Sequence, residues 1–200
     1  TNMDVKIFVA LDTKPKEATK IINQLDPNLC GIKIGKELFT WAGPKVIEYC
    51  NKLGFKVFLD LKFCDIPNTV AKAAIAAASH DIYMFTIHAT GGQKMIRAAR
   101  DAIDSLKVAC PPKILAVTLL TSISQADVNN LRVLNGTTET IANDLCKLSL
   151  ESGADGIVCS PLEVAKFREN FGDDFLIVTP GIRPLSNSSD DQSRIATPQE

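Results

Sequence analysis

Val57-Phe58-Leu59-Asp60-Leu61-Lys62-Phe63-Cys64-Asp65-Ile66-Pro67-Asn68-Thr69 changes character twice over a short length. It opens as a continuous apolar run, the pattern of a strand buried on both faces of a parallel sheet. Charge then enters at Asp60 and Lys62, and Asp65 follows in a connection. Pro67 stands where a first helical turn accepts proline. The stretch therefore reads as strand, charged connection and helix, with its polar residues at the C-terminal end of the strand.

The same alternation extends outward in both directions. Short runs rich in Val, Ile, Leu and Phe predict strands at 6–11, 30–34, 56–61, 82–87, 114–120, 156–159 and 175–178. Helical patterns occupy 16–25, 39–53, 68–80, 92–107, 139–152 and 161–171. Pro44 and Pro161 fit first helical turns, although Pro44 also allows a later helix start. The segment 124–138 reads as a short helix followed by a loop carrying Asn135-Gly136. No linker or composition break divides the chain, so residues 1–200 form one expected domain.

Seven βα units in succession fit a doubly wound sheet or a (β/α)8 TIM barrel. Periodicity leaves both open, and the count favours the barrel. An eighth strand and helix are expected after Pro198, whereas the sequence ends at Glu200. The expected fold is thus an α/β barrel with the eighth strand and helix absent.

Bulk properties narrow the function. Net charge is −1, with Lys and Arg spread along the chain, which argues against nucleic acid or an anionic membrane as partner. No apolar run approaches the ~20 residues of a membrane span. No signal peptide is evident, and Met3 reads as a natural start. The six cysteines form no C-x-x-C pair, which suits reduced thiols and a cytoplasmic location. With only His80 and His88, an imidazole-rich metal site is not expected.

Asp60 and Lys62 are two apart, so in an extended strand they share a side. A lysine flanked by carboxylates is a fixed positive charge and a proton source. The ordinary reading of such spacing is a surface ion pair. Against it, Asp12 ends the first strand after Phe8-Val9-Ala10-Leu11, and Lys33 ends the second within Ile32-Lys33-Ile34-Gly35. Charges at the ends of three successive apolar strands read as one convergent polar site on the face where barrel active sites are built.

The decapeptide from Asp60 to Thr69 resembles the signature of orotidine 5'-monophosphate decarboxylases, usually D-L-K-[FL]-H-D-I-P-N-T. The similarity covers nearly the whole chain. It includes Val9-Ala10-Leu11-Asp12, Lys33-Ile34-Gly35-Lys36-Glu37-Leu38-Phe39, His88-Ala89-Thr90-Gly91-Gly92, Asp155-Gly156-Ile157-Val158-Cys159-Ser160 and the stretches 116–122 and 178–184. The resemblance implies a cofactor-free, metal-free barrel enzyme that converts orotidine 5'-monophosphate to uridine 5'-monophosphate in pyrimidine synthesis. By position it implies Lys62 as proton donor to C6 of the base, Asp60 beside the departing carboxylate, and Lys33 completing the row of charges. Asp65 resembles the carboxylate that the family supplies from a neighbouring subunit, accompanied by Ile66 and Thr69, so a homodimer is implied. Asp12 matches a ribose contact and Thr121 a base contact. Arg183 and Gln192 match phosphate-side residues of a lid-like loop at 181–191.

Two departures stand out. Cys64 replaces the usual His and reads as a tolerated change. The family's last strand carries Ile-Gly-Arg, which binds phosphate, and this sequence ends before it. Either the sequence is part of a longer chain or the form is truncated, and only in the second case is an open barrel with exposed edge strands expected to aggregate or bind less tightly. His88, the glycines Gly91 and Gly92, Trp41, the alanine-rich run 71–78 and Cys159 read as packing or turn residues, and Lys36 and Glu37 as helix-start charges. The rival readings are a related magnesium-dependent sugar-phosphate decarboxylase, against which Lys33 counts, and a non-catalytic nucleotide-binding barrel.

Overall fold

A computed structural model describes residues 5–182 and 196–197. Their strands are β1 (Phe8–Ala10), β2 (Gly31–Gly35), β3 (Val57–Phe63), β4 (Met84–His88), β5 (Lys113–Val117), β6 (Gly156–Val158) and β7 (Leu176–Val178). All pair in parallel, each with its sequence neighbour, in the order β1-β2-β3-β4-β5-β6-β7. That order settles what periodicity left open. A doubly wound sheet reverses direction at a switch point, whereas a barrel winds steadily one way. The described residues form the curled sheet of a (β/α) barrel, and a further isolated parallel bridge joins Ile182 to Ala196.

Between the strands run α1 (Pro15–Ile22), α2 (Lys36–Ala42), α3 (Lys45–Lys52), α4 (Pro67–Ala78), α5 (Gln93–Asp104), α6 (Gln125–Leu131), α7 (Thr138–Glu151) and α8 (Val164–Phe171). None is long and apolar enough to cross a membrane. The single helix expected over 39–53 is two helices. Lys36 and Glu37 start the first, and Gly43, at φ +59, ends it ahead of Pro44, which caps the second. The pattern over 161–171 begins as a 3-10 turn at Pro161–Glu163 before α8.

Alternation along the strands sorts side chains into two layers. Ile32, Ile34, Val57, Leu59, Phe85, Ile87, Ile114 and Ala116 join the helix-side core of the first half. Ile157 and Cys159 pack against α7 and α8 in the second half, with Ala142, Cys146 and Phe167. Phe58, Met84, Leu115, Val117 and Val158 form a separate inner cluster, with Phe8 and Tyr83 against it. Burying such side chains contributes roughly 1.5–3 kcal/mol each before conformational entropy is set against it.

The inner layer is polarised along the strands. Near the strand N-termini, Phe8 meets Phe58 edge-on at 5.8 Å and stacks with Tyr83 at 6.1 Å. Gly31 permits this, because a β-carbon there would lie 2.3 Å from the Phe8 ring. The aromatic plug leaves the strand C-termini as the place where inward-facing groups can be polar. Trp41, expected to pack within its helix, is 63% exposed, with the Lys14 ammonium 5.8 Å from its ring centre. Its helix buries Leu38 instead, so the indole lies on the outer side of a helix only seven residues long.

Candidate active site

Asp60 is the centre of the polar end. It lies on β3 opposite Gly35 of β2 and is 8% exposed. Its Oδ2 accepts from Lys62 Nζ at 2.9 Å and from Lys33 Nζ at 3.2 Å, while its Oδ1 accepts from the Thr86 hydroxyl at 2.8 Å. Burial opposes ionisation of this carboxyl. The two ammoniums and the hydrogen bonds from Lys62 and Thr86 outweigh it and hold the group below the ordinary carboxylate range. One carboxylate oxygen thus serves two cations from different strands, a compact row of alternating charge half-shielded from water.

Lys62 reaches this position by a route that strand alternation does not provide. Its backbone is left-handed, at φ +51. The pairing of β3 with β4 is also irregular here, with Leu59 opposite Phe85 but Phe63 opposite Ile87. Asp60 and Lys62 do share a side, but through a bulge rather than through regular extension. A non-glycine residue with positive φ is uncommon, and such strain collects at functional sites.

The neighbouring inner positions are polar as well. His88 ends β4, half-buried. Burial holds its imidazole below the ordinary histidine value, Lys36 and Lys62 push the same way, and Asp60 opposes them. Asp12, exposed just past β1, places Oδ1 2.9 Å from where a β-carbon on Gly35 would stand, so the glycine makes room for the carboxylate. Among the described residues no three His, Cys, Asp or Glu side chains gather as a metal-binding group.

The family model described as "Orotidine 5'-phosphate decarboxylase / HUMPS family" matches residues 5–200. The chain belongs to this family. It is 50% identical over 197 residues to the orotidine 5'-phosphate decarboxylase of Nitrosomonas europaea, covering 98% of this chain and 83% of that one. It is 48% identical over 201 residues to the Lactobacillus acidophilus enzyme of the same name, covering 98% and 86%. The crystal structure of orotidine 5'-phosphate decarboxylase from Lactobacillus acidophilus superposes with a TM-score of 0.84 at 45% identity, over 90% of this chain and 83% of that one.

Other residues singled out by likeness to orotidine 5'-phosphate decarboxylases are more dispersed. Asp65 is exposed and accepts its Oδ1 hydrogen bond from the Ile66 backbone N–H at 2.6 Å. Within this chain it forms no ion pair with Lys62. Ile66, 69% exposed, and Thr69 lie with it on the open side of the β3–α4 connection. Thr121 is buried beyond β5. Arg183, Gln192 and most of the 181–191 loop lie outside the described residues. Cys64 is exposed and Cys159 buried, and all six cysteines are free thiols.

The sequence reading missed Thr86, which is fully buried and touches both Asp60 and Lys62. A hydroxyl inside the apolar run Met84-Phe85-Thr86-Ile87 was the available signal. Threonine is so common in strands that it passed as ordinary strand composition.

Proposed function

We propose that this chain decarboxylates orotidine 5'-monophosphate to uridine 5'-monophosphate in cytoplasmic pyrimidine synthesis, as a homodimer and without a metal or organic cofactor. The observation that carries the reading is Asp60, held by Lys62 and Lys33 at 2.9 and 3.2 Å on the strand-end face of a family barrel. Asp12 approaches the ribose and Thr121 the base. Arg183 and Gln192 hold the phosphate, which supplies binding energy far from the reacting carbon. Asp65 of a second copy, with Ile66 and Thr69 beside it, completes the charge row on Lys62; their exposure here leaves them available for that contact.

In the reaction the bond from C6 to the carboxylate carbon breaks, its electron pair stays on C6, and carbon dioxide leaves. That carbanion has little delocalisation. The Lys62 ammonium, already oriented by Asp60, stabilises the growing charge and then transfers one of its protons to C6. The amine regains a proton from solvent. Asp60 faces the departing carboxylate, and their repulsion adds to the driving force for its loss. Lys33 keeps Asp60 ionised when the substrate anion arrives.

Loss of substrate absorbance tests the reading, measured with and without a chelator beside a Lys62→Ala chain. The expected result is chelator-insensitive turnover that falls roughly 10²–10⁴-fold or more in the variant, the range for losing a positioned proton donor. Folded Lys62→Ala with wild-type kcat would overturn the lysine's role. Chelator-sensitive turnover would favour the magnesium-dependent relatives, against which Lys33, in the middle of β2, already counts. Tight binding of a uridine monophosphate analogue without turnover would leave a non-catalytic barrel.

A further inference from the structure

The Thr86 hydroxyl lies between the two groups on which the proposed chemistry depends. It donates to Asp60 Oδ1 at 2.8 Å and accepts the backbone N–H of Lys62 at 2.9 Å. The second contact falls where the β3–β4 ladder slips. Between the pairs Leu59–Phe85 and Phe63–Ile87, β3 has three residues and β4 has only Thr86. A side-chain oxygen there takes an N–H that the bulge removes from regular strand pairing.

We infer that Thr86 is a positioning residue for the decarboxylation, fixing the Asp60 carboxylate and the left-handed Lys62 backbone with one buried hydroxyl. The inference rests on the decarboxylase reading. By occupying Oδ1, the hydroxyl turns Oδ2 toward both ammoniums. By accepting the Lys62 N–H, it offsets the strain of φ +51 and returns the lysine side chain to Asp60. The β-branched side chain has few χ1 choices, and full burial excludes water from replacing either bond. The hydroxyl also has a single proton to give, so its direction is set by Asp60.

The test compares Thr86→Val, which keeps the shape and deletes the oxygen, with Thr86→Ser, which keeps the oxygen. Thr86→Ala serves if the valine chain does not fold. Two quantities are read on the whole chain: kcat and KM for orotidine 5'-monophosphate, and the exchange rate of the Lys62 amide by NMR. Valine is expected to lower kcat on the order of 10²-fold, the cost of misplacing reacting groups by about 1 Å, with KM changing severalfold at most. It should also speed Lys62 amide exchange at least about tenfold, since that amide loses its acceptor. Serine is expected to restore both. Unchanged Lys62 exchange in the valine chain, or serine as impaired as valine, overturns the assignment. If the wild type fails to turn over this substrate, the decarboxylase reading falls separately. The Lys62 exchange rate still decides whether the hydroxyl holds that backbone.

Discussion

Asp60 carries opposing influences in one side chain, and the balance between them has a pH signature. Desolvation favours the neutral acid, while Lys33, Lys62 and Thr86 favour the carboxylate strongly enough to lower its titration. A carboxyl depressed in the fold contributes stability that is fully present above its unfolded value, about 3.9, and is lost as pH falls through the lower folded value. Urea midpoints of wild type and Asp60→Asn, measured from pH 6 down to pH 3, are therefore expected to converge at the acid end. The comparison cancels the other carboxylates, and a gap independent of pH would contradict the role given to the two lysines. At this scale the sequence was legible in charge and silent in partners. Asp60, Lys62 and Lys33 announced themselves because ionic groups do not belong in apolar strands. Thr86 did not, because threonine is compatible with burial in a strand whether or not it holds anything. The left-handed turn at Lys62 was equally hidden, since nothing in Leu61-Lys62-Phe63 demands positive φ. It follows from the partners, not from local preference.

The elements divide their work between the two ends of the sheet. At the strand C-termini the inward groups are charged and strained. At the N-termini the contacts between strands and outer helices serve stability, as barrels generally arrange it. The clearest lock is Asp155, just ahead of β6, whose Oδ2 accepts from Arg100 Nη1 on α5 at 3.0 Å and from the Ile114 backbone N–H on β5 at 2.8 Å. The Asp155 carboxylate thus ties a helix to two strands, and Arg100 is held in turn by Asp104 on its own helix at 2.6 Å. Asp155→Ala is expected to cost about 2 kcal/mol in chemical denaturation, the scale of losing hydrogen bonds to a charged group, while kcat stays near wild type. A selective loss of kcat at unchanged stability would show that the two ends are coupled. Element existence was readable from sequence because each strand is a compact apolar run bounded by helical periodicity. The division of 39–53 was not, because Phe39, Val46 and Ile47 satisfy helical spacing on both sides of a break imposed locally by Gly43 and Pro44. Trp41 misled for a related reason. Hydrophobicity predicted burial, but the face of a short helix that turns inward is set by Leu38.

At the scale of the molecule, seven βα units limited the fold to two families, the count and the family resemblance favoured the barrel, and the neighbour-to-neighbour strand order bore it out. No single residue encodes that order, which belongs to the pairing of whole strands. The charged row within one chain, by contrast, is Asp60 with Lys33 and Lys62. Lys62 has Asp60 on one side, whereas Asp65, only three residues on, points its carboxylate to its own connection and remains exposed. If Asp65 serves a second copy, the two residues can be inactivated on different chains and still leave one working site. Co-expressing Lys62→Ala and Asp65→Ala chains under different tags isolates the heterodimer. In it, one site combines both defects, and the other takes Lys62 from one chain and Asp65 from its partner, both intact. Such a twofold pair is expected to turn over at about half the wild-type rate per dimer, although each parent homodimer is severely impaired. A heterodimer as inactive as its parents would place Asp65 in its own chain's site. Failure of the two chains to associate at all would remove the dimer from the proposal.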